Sequence, residues 1–496
     1  MIRLTLLWLF VIFLSAYAFK DWFKSLCGLI LLMAVVEHPD FPKSVMDIQG
    51  LNAWNVLLAC VVLGWASARG REGLVWDMPR SVATLLVVYF LLILISFIRF
   101  VSDLDSFTAY RAAVSLEPAT FAGLFSEKII NCLKWVVPGL LLYDGCRSEE
   151  RFRLAVYCIV GIYVLLAIQV IRWMPIASLT SGEELSERSI KILLNEVGYH
   201  RVNMSMLLAG GSWAVFCART LSDSKIVHIV GVLFFAMVFF GLALTGGRMG
   251  YVTWAAIGLI FGLTKWRRVI VLGPIALLIL ISLVPAVRER FEQGFSAETI
   301  DTNASIEQHF YGGDDAAALY TVTSGRTFAW PFVLREIGDS PLVGYGQEAM
   351  ITTGVALMLY TNYGESFPHP HNAYLQWIFD NGIIGLIPVF IFYWLIFRIA
   401  IGLFRDTDRR CTIIGGVLLA LLSALLIASF GSQSFYPREG AVGMWCAIGL
   451  ALRVREMRRK QLQQSARSTG SVTAENQGFW SAGQAQRKIE RRYYAV

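Results

Sequence analysis

The chain has 496 residues, 56% of them hydrophobic and 16% charged, with a mean hydropathy of +0.58 and a formal net charge of +7. Soluble domains carry about 25% charged residues, so this composition excludes a water-soluble globular protein. The basic excess sits in short loops and a tail, no nucleic-acid-binding fold is visible, and no nucleic-acid partner is implied.

Apolar runs recur almost from end to end, and in a bilayer such runs form helices, because a helix satisfies its own backbone hydrogen bonds. The expected fold class is therefore an all-α polytopic membrane protein of about 12–13 transmembrane helices with one long external loop. The candidate spans are 4–19, 25–36, 51–67, 82–98, 129–143, 154–173, 203–218, 226–244, 251–264, 269–286, 383–401, 412–430 and 438–453. The first resembles a signal peptide, with Arg3, an apolar run and Ala16-Tyr17-Ala18, but is read as an anchor. The second has a short apolar core. If it crosses, the chain has thirteen spans and starts outside; if it only dips in, there are twelve and both termini are inside.

Five short loops are basic: Arg69, Arg71 and Arg80; Arg147, Arg151 and Arg153; Arg219 and Lys225; Lys265, Arg267 and Arg268; Arg405, Arg409 and Arg410. The positive-inside rule places all five in the cytoplasm. The external set is then 37–50, 99–128, 174–202, 245–250, 287–382 and 431–437. This divides the chain into a transmembrane helical domain, 1–453, carrying the external loop 287–382, and a basic cytoplasmic tail, 454–496. The tail's Gln, Ser, Ala and Gly content predicts disorder. Its cluster from Arg453 to Lys460 suits either a stop signal or anionic headgroups. The eight cysteines lie in or beside spans or on the cytoplasmic side, so neither a disulfide nor a thiolate zinc site is implied in the long loop.

Loops as long as 287–382 are usually functional. Its first half is acidic (Glu289, Glu292, Glu298, Asp301, Glu307, Asp314, Asp315). Ser324-Gly325-Arg326-Thr327 then leads into a short helical stretch with Trp330 and Leu334, followed by the turn-rich Pro341-Leu342-Val343-Gly344-Tyr345-Gly346. Residues 350–360 are apolar enough to lie on the bilayer surface. The loop closes with Pro368-His369-Pro370-His371-Asn372. Asn372 is a good helix N-cap. A helix start just beyond His371 favours its neutral, basic imidazole, which can take a proton from a sugar hydroxyl; alternatively His371 only hydrogen-bonds its neighbours. Arg248 lies in the tight external hairpin Thr245-Gly246-Gly247-Arg248-Met249-Gly250, where glycines let a ligand approach the backbone and the guanidinium can grip phosphate, or else snorkels to headgroups. Arg326, and His200 with Arg201 just before span 203–218, are further external candidates. Asp103 and Asp105 form a D-x-D that could hold a divalent metal, though such pairs are common by chance.

The segment H-N-A-Y-L-Q-W-I-F-D-N-G-I-I-G-L, His371 to Leu386, resembles the signature of the O-antigen ligase and polymerase superfamily. The T-G-G-R-M-G hairpin resembles that family's Thr-x-Ser-Arg-Gly hairpin, with Gly247 where serine is usual, so a hydroxyl ligand is missing there. Gly325-Arg326 through Trp330, together with P-L-V-G-Y-G, resembles the stretch before the family's His-Asn. The resemblance is detailed over about 245–390 and implies a glycosyltransferase-C-like fold and transfer of an oligosaccharide or polysaccharide from undecaprenyl-pyrophosphate to an acceptor hydroxyl on the outer face of the bacterial inner membrane. The acceptor would be lipid A-core, protein or another lipid-linked repeat. The implied mechanism is inverting and metal-independent, with no cofactor. His371 would be the base, Arg248 and Arg326 would hold the pyrophosphate, and His369, Asn372, His200 and Arg201 would contact substrate.

The chemistry of the residues agrees with this. Nucleotide sugars are not supplied outside the cytoplasm, so an external transferase needs a preactivated, membrane-borne donor. A lipid pyrophosphate leaves without a strong general acid, and arginines can stabilise the developing charge; a glycosidase instead needs two flanking carboxylates. The alternatives are a metal-dependent polyprenyl-phosphate glycosyltransferase and a multi-span transporter of a glycan or lipid-linked substrate. The latter calls for internal repeats and ionisable residues near the bilayer midplane.

Overall fold

The computed structural model describes residues 2–44, 50–175, 180–292, 326–364, 366–431 and 433–474. The protein is an all-α polytopic membrane protein, with no strand among the described residues. Among the described residues five helices are long and apolar enough to cross a membrane: α4 (Arg80–Val101), α9 (Glu149–Trp173), α12 (Lys225–Leu244), α19 (Ala373–Phe404) and α20 (Arg409–Ala428). Between them run α1 (Ile2–Tyr17), α2 (Trp22–Leu32), α3 (Ala53–Arg69), α11 (Arg201–Ala218), α13 (Arg248–Thr264), α14 (Val269–Leu283) and α21 (Val442–Ala474). Polar residues set the starts: the side chains of Asp21, Asn52, Ser148 and Asp408 each accept a backbone N–H from the first turn of α2, α3, α9 and α20.

The basic loops meet at one end of the bundle. Asp144, buried, accepts from Arg69 at 3.1 Å, and Arg151 pairs with Glu72 at 2.7 Å. Lys265 donates to Phe404 O at 2.8 Å, and Arg409 donates to Thr220 O and to Asp223. Arg453, 1% exposed, donates to Asp77 at 2.7 Å and to Tyr143 O at 2.6 Å, while Lys460 reaches the other Asp77 oxygen at 2.6 Å. Although burial works against it, these hydrogen bonds from Arg453 and Lys460 hold the Asp77 carboxyl well below the usual carboxylate range. They also explain a departure from the sequence reading. The stretch 454–474, expected to be disordered, continues α21 as helix to Ala474, and 475–496 lie outside the described residues.

The second candidate span runs from one end of the bundle to the other, although α2 itself is only 11 residues long. Trp22, at the start of α2, donates to Glu72 at the basic end at 2.9 Å, while Ala34, just past its end, accepts from Gln169 near the far end of α9 at 2.7 Å. Three turns extend α2 through 33–35, so a short apolar core still reaches across. Residue 2 therefore sits at the end opposite the basic loops, as in the thirteen-span alternative.

Two passes are broken. The fifth is assembled from α6 (Phe121–Phe125), a π-helical turn (Ser126–Ile130), α7 (Asn131–Lys134) and α8 (Val137–Gly145), longer than the expected 129–143. The other break lies in α19 at Gly382, whose φ of 64° and ψ of −175° are not helical. Backbone groups freed inside a membrane must find partners within the protein, and here a separate strand of chain supplies them. Tyr345 N donates to Phe379 O at 2.9 Å and Gly346 N to Asp380 O at 2.8 Å. Ile383 N donates to Pro341 O at 2.9 Å and Ile384 N to Leu342 O at 3.1 Å. Arg99 of α4 donates to the carbonyls of Val343 and Gly344 from outside. The splice requires glycine: a Cβ at 382 would stand 2.2 Å from Leu342 C, and one at 344 would stand 2.5 Å from Phe379 O. At φ 64° and ψ −175° Gly382 occupies a region open essentially only to glycine, so Gly382→Ala costs about 1–3 kcal/mol in backbone strain before this overlap is counted. The expected outcome is a sharp fall in monodisperse protein by size-exclusion chromatography of the solubilised membrane. Parent-level recovery would show that the break tolerates a side chain.

Candidate functional site at the end opposite the basic loops

At the end opposite the basic loops the chain is least regular. α5 (Asp105–Ala113), α10 (Gly182–Ile192), α15 (Pro285–Glu292), α16 (Arg326–Asp339), α17 (Ala349–Thr352) and α18 (Val355–Tyr363) all lie there. Gly182 N donates to Glu289 Oε2 at 2.7 Å, and Tyr110 shares a 2.9 Å hydrogen bond with Ser366. α17 and α18 do not lie on a lipid surface as residues 350–360 were expected to. Met350, Ile351, Val355, Ala356 and Leu359 are buried, and both helices pack on α5. Asp103 and Asp105 form a local turn instead of facing a common point: Asp105 N donates to Asp103 Oδ1 at 3.3 Å, and α5 starts there. The acidic stretch Glu298 to Asp315 and Ser324-Gly325 lie outside the described residues.

His371 precedes α19 as the sequence suggests. Asn372 is the N-cap, its side chain accepting from Tyr374 N at 3.0 Å and Leu375 N at 3.2 Å, a cap worth about 1 kcal/mol. Unforeseen is the backbone of His371 itself, left-handed with a φ of 52°. Among the described residues only Ser115 and Glu348 share that state without being glycine. A side chain held so costs about 1–2 kcal/mol, and strain of this kind gathers at ligand sites. The strained residue tips the imidazole against its neighbours: the rings of His369 and His371 lie 4.3 Å apart, and Phe367 meets His371 edge-on at 6.0 Å. Pro370 between them does not part the two histidines. Its carbonyl accepts from Trp330 Nε1 at 3.0 Å, which ties α16 to the loop. Arg326 opens α16 one turn before Trp330, so its backbone lies on the same helix face; its side chain is outside the described part.

The arginine hairpin folds onto the start of α11. Arg248 is the first residue of α13 and half-buried. Gly246 is left-handed at φ 62°. Gly247 is required by a neighbour: a Cβ there would stand 2.4 Å from Ser205 Oγ on α11. The Ser205 hydroxyl thus stands where a side chain at 247 would begin, and it donates to Val202 O at 2.7 Å. His200 caps α11, its Nδ1 accepting from Val202 N at 3.4 Å. Arg201 is its first residue and donates to Ser186 Oγ at 2.6 Å and Ser186 O at 3.2 Å on α10. Arg201 O lies 3.6 Å from the Cβ position of Gly247, so Arg201 and Arg248 stand on adjacent strands of chain.

The loop 429–437 links hairpin and histidines. Gln433 reaches Asn203 of α11 at 3.5 Å. On its other side Ala373 N donates to Ser429 O at 2.8 Å, and Tyr374 packs on Phe435 at 5.0 Å between ring centres. Two joined cavities open beside this loop. One, of about 260 Å³, is lined by residues including Lys128, Asn131, Gln347, Glu348, Gln376, Asp380 and Tyr436. The other, of about 700 Å³, shares Glu127, Lys128, Asn131 and Glu348 with it and reaches Pro368. None of these lining residues was a candidate from sequence. They come from four separate segments, around 127–135, 347–348, 368–380 and 436–439, and nothing in their spacing signals a common wall.

Residues 232–390, which contain the hairpin, Arg326, His369 and His371, match the family model described as O-antigen ligase. A protein of Rickettsia conorii named "Putative polysaccharide ligase" is 27% identical over 186 residues, covering 36% of this chain and 40% of that protein's length. The match runs from within α12 to within α19, and both the segment from His371 to Leu386 and the arginine hairpin lie inside it.

Proposed function

We propose that the protein transfers a glycan from a lipid-linked pyrophosphate, undecaprenyl-pyrophosphate by the family resemblance, to an acceptor hydroxyl at the outer face of the bacterial inner membrane, as an O-antigen ligase or polymerase does. The observation that carries the reading is that the arginine hairpin and the strained histidine loop, 123 positions apart in sequence, stand at the same end of the bundle, opposite the basic loops. The acceptor oxygen attacks the anomeric carbon from the face opposite the pyrophosphate, and the configuration inverts. The new C–O bond forms as the bond to pyrophosphate breaks. His371 takes the acceptor proton, and the pyrophosphate leaves with the bonding pair. Arg248 and Arg326 receive its growing negative charge, with Arg201 and His200 beside them. His369 and Asn372 hold the imidazole and the start of α19 in place. Preorganised cations need no reorganisation as charge develops, which makes them effective for a leaving group of this kind.

General-base catalysis contributes about a hundredfold to ten-thousandfold, so His371→Ala is expected to lose that much transfer from a purified polyprenyl-pyrophosphate saccharide, while donor binding and folding stay near the parent's. Parent activity should fall on acidification, because the protonated imidazole is no base, and chelators should leave it unchanged. Parent-rate transfer by His371→Ala would reduce the residue to a structural one.

The orientation is tested separately. Among the native cysteines seven are buried and Cys60 is half-buried, so an introduced surface thiol stands out. Glu117→Cys, exposed at the histidine end, is expected to react with a membrane-impermeant maleimide in intact spheroplasts. Asp223→Cys, in a basic loop, is expected to react only after lysis. The reverse pattern would put the site in the cytoplasm and remove the functional reading with it.

A further inference from the structure

The smaller cavity differs from the arginine hairpin in its chemistry. Four carboxyl groups (Glu127, Glu348, Asp380, Glu439) outnumber two cations (Lys128, Arg438) among its lining residues. Lys128 is already committed, pairing with Glu348 and, at 3.0 Å, with Glu127. Asp380, 2% exposed, accepts from Tyr436 Oη at 2.9 Å and from Ala349 N at 3.2 Å, and Asn381 donates to the same tyrosine oxygen at 3.1 Å. Three amides, Asn131, Gln347 and Gln376, and two aromatic rings, Trp135 and Tyr436, complete the wall. Gln347 is 3% exposed. Its Nε2 donates to Ile93 O at 3.3 Å, while its Oε1 accepts no hydrogen bond among the described residues. A buried acceptor left so costs about 1–3 kcal/mol unless a ligand or water donates to it. Glu348, on the same wall, is held left-handed at φ 59°.

We infer that this cavity binds a sugar ring of the acceptor, and that the ring is uncharged or amine-bearing, not acidic or phosphorylated. The inference rests on the transferase reading and adds to it the chemical class of the acceptor. Carboxylates and amides accept and donate to vicinal hydroxyls, and an aromatic face suits the C–H face of a pyranose. Leaving out Asp380, which is buried and held by Tyr436 and Ala349 N, the three glutamates Glu127, Glu348 and Glu439 still outnumber Lys128 and Arg438, which disfavours phosphate and uronate and favours an ammonium group. The pyrophosphate of the donor is kept for the arginine hairpin on the other side of the loop 429–437. The position agrees: Gln376 lies on the first turn of α19 just after His371, and the joined cavity reaches Pro368, three residues before it. Donor phosphate and acceptor sugar would then approach the histidine loop from two sides.

The test uses the full-length protein in nanodiscs. Saturation-transfer difference NMR is recorded with N-acetylglucosamine, glucosamine and galactose, and with glucuronic acid and glucose 6-phosphate. At least one uncharged or amino sugar is expected to bind, and neither anionic sugar. Asn131→Ala, Gln376→Ala and Gln347→Met should each weaken that binding roughly three- to tenfold, the loss of one uncharged hydrogen bond, and raise the acceptor KM without changing donor affinity. His371→Ala should bind the sugar as the parent does while failing to transfer it, so failure of the base assignment is read separately. Equal or tighter binding of the anionic sugars, absence of any sugar binding, or binding that all three variants leave unchanged would each overturn the inference.

Discussion

The arrangement depends on one constraint: inside a membrane, every backbone group that leaves a helix must be met by another part of the protein. α19 leaves its helix at Gly382, and the segment 341–346 meets it there with four backbone hydrogen bonds. This splice holds the first two turns of α19 as an independent piece, with His371-Asn372 at one end and Asp380-Asn381 at the other. It also carries chain directly from the splice into Gln347 and Glu348, which form the wall of the acidic cavity. Arg99 fastens the splice to α4. Without the break, α19 would rise as one rigid rod, and neither the cavity wall nor the histidine loop would have this footing.

Much of this was legible in the sequence, and the limits have physical causes. The helices could be read because a bilayer demands long apolar runs, and the gathering of the basic loops at one end because Lys and Arg are biased to one side of a membrane and so fall in alternate loops. The start of α19 could be read from Asn372, since a cap is a local device. The short second span was ambiguous because turns at 33–35, which hydropathy does not detect, lengthen it. The P-L-V-G-Y-G motif reads from sequence as a turn-rich segment, yet its glycines serve the splice: Gly344 lets the backbone touch α19 and Gly346 lets it touch α4. The apolar 350–360 stretch was assigned to lipid because composition cannot distinguish a protein partner, here α5, from a membrane. The left-handed state of His371 and the serine behind Gly247 were not legible, since both depend on contacts between distant segments.

The two halves of the proposed site are separated by charge. The hairpin gathers arginines at the start of α11 and α13, while the cavity beside α7 and α19 gathers carboxyl groups. Such a division acts most strongly on groups that a bound substrate shields from solvent, because Coulomb interactions are then less screened than in bulk water. On the proposed function, it would sort an anionic leaving group from a hydroxyl-bearing acceptor without moving parts. The histidine loop lies between the two, tied to α16 by Trp330 and to the loop 429–437 through Ala373.

The central claim is that the arginine hairpin binds the pyrophosphate of a lipid-linked donor. The most direct measurement is the affinity of the purified protein in nanodiscs for an undecaprenyl-pyrophosphate saccharide, compared between parent, Arg248→Lys and Arg248→Ala. Loss of a charged hydrogen-bond partner costs about 1.5–3 kcal/mol. The account therefore predicts roughly tenfold to hundredfold weaker binding for Arg248→Ala, and a smaller loss for Arg248→Lys, which keeps the charge but not the planar fork. Equal donor affinity in all three proteins, with the variants folded, would contradict it.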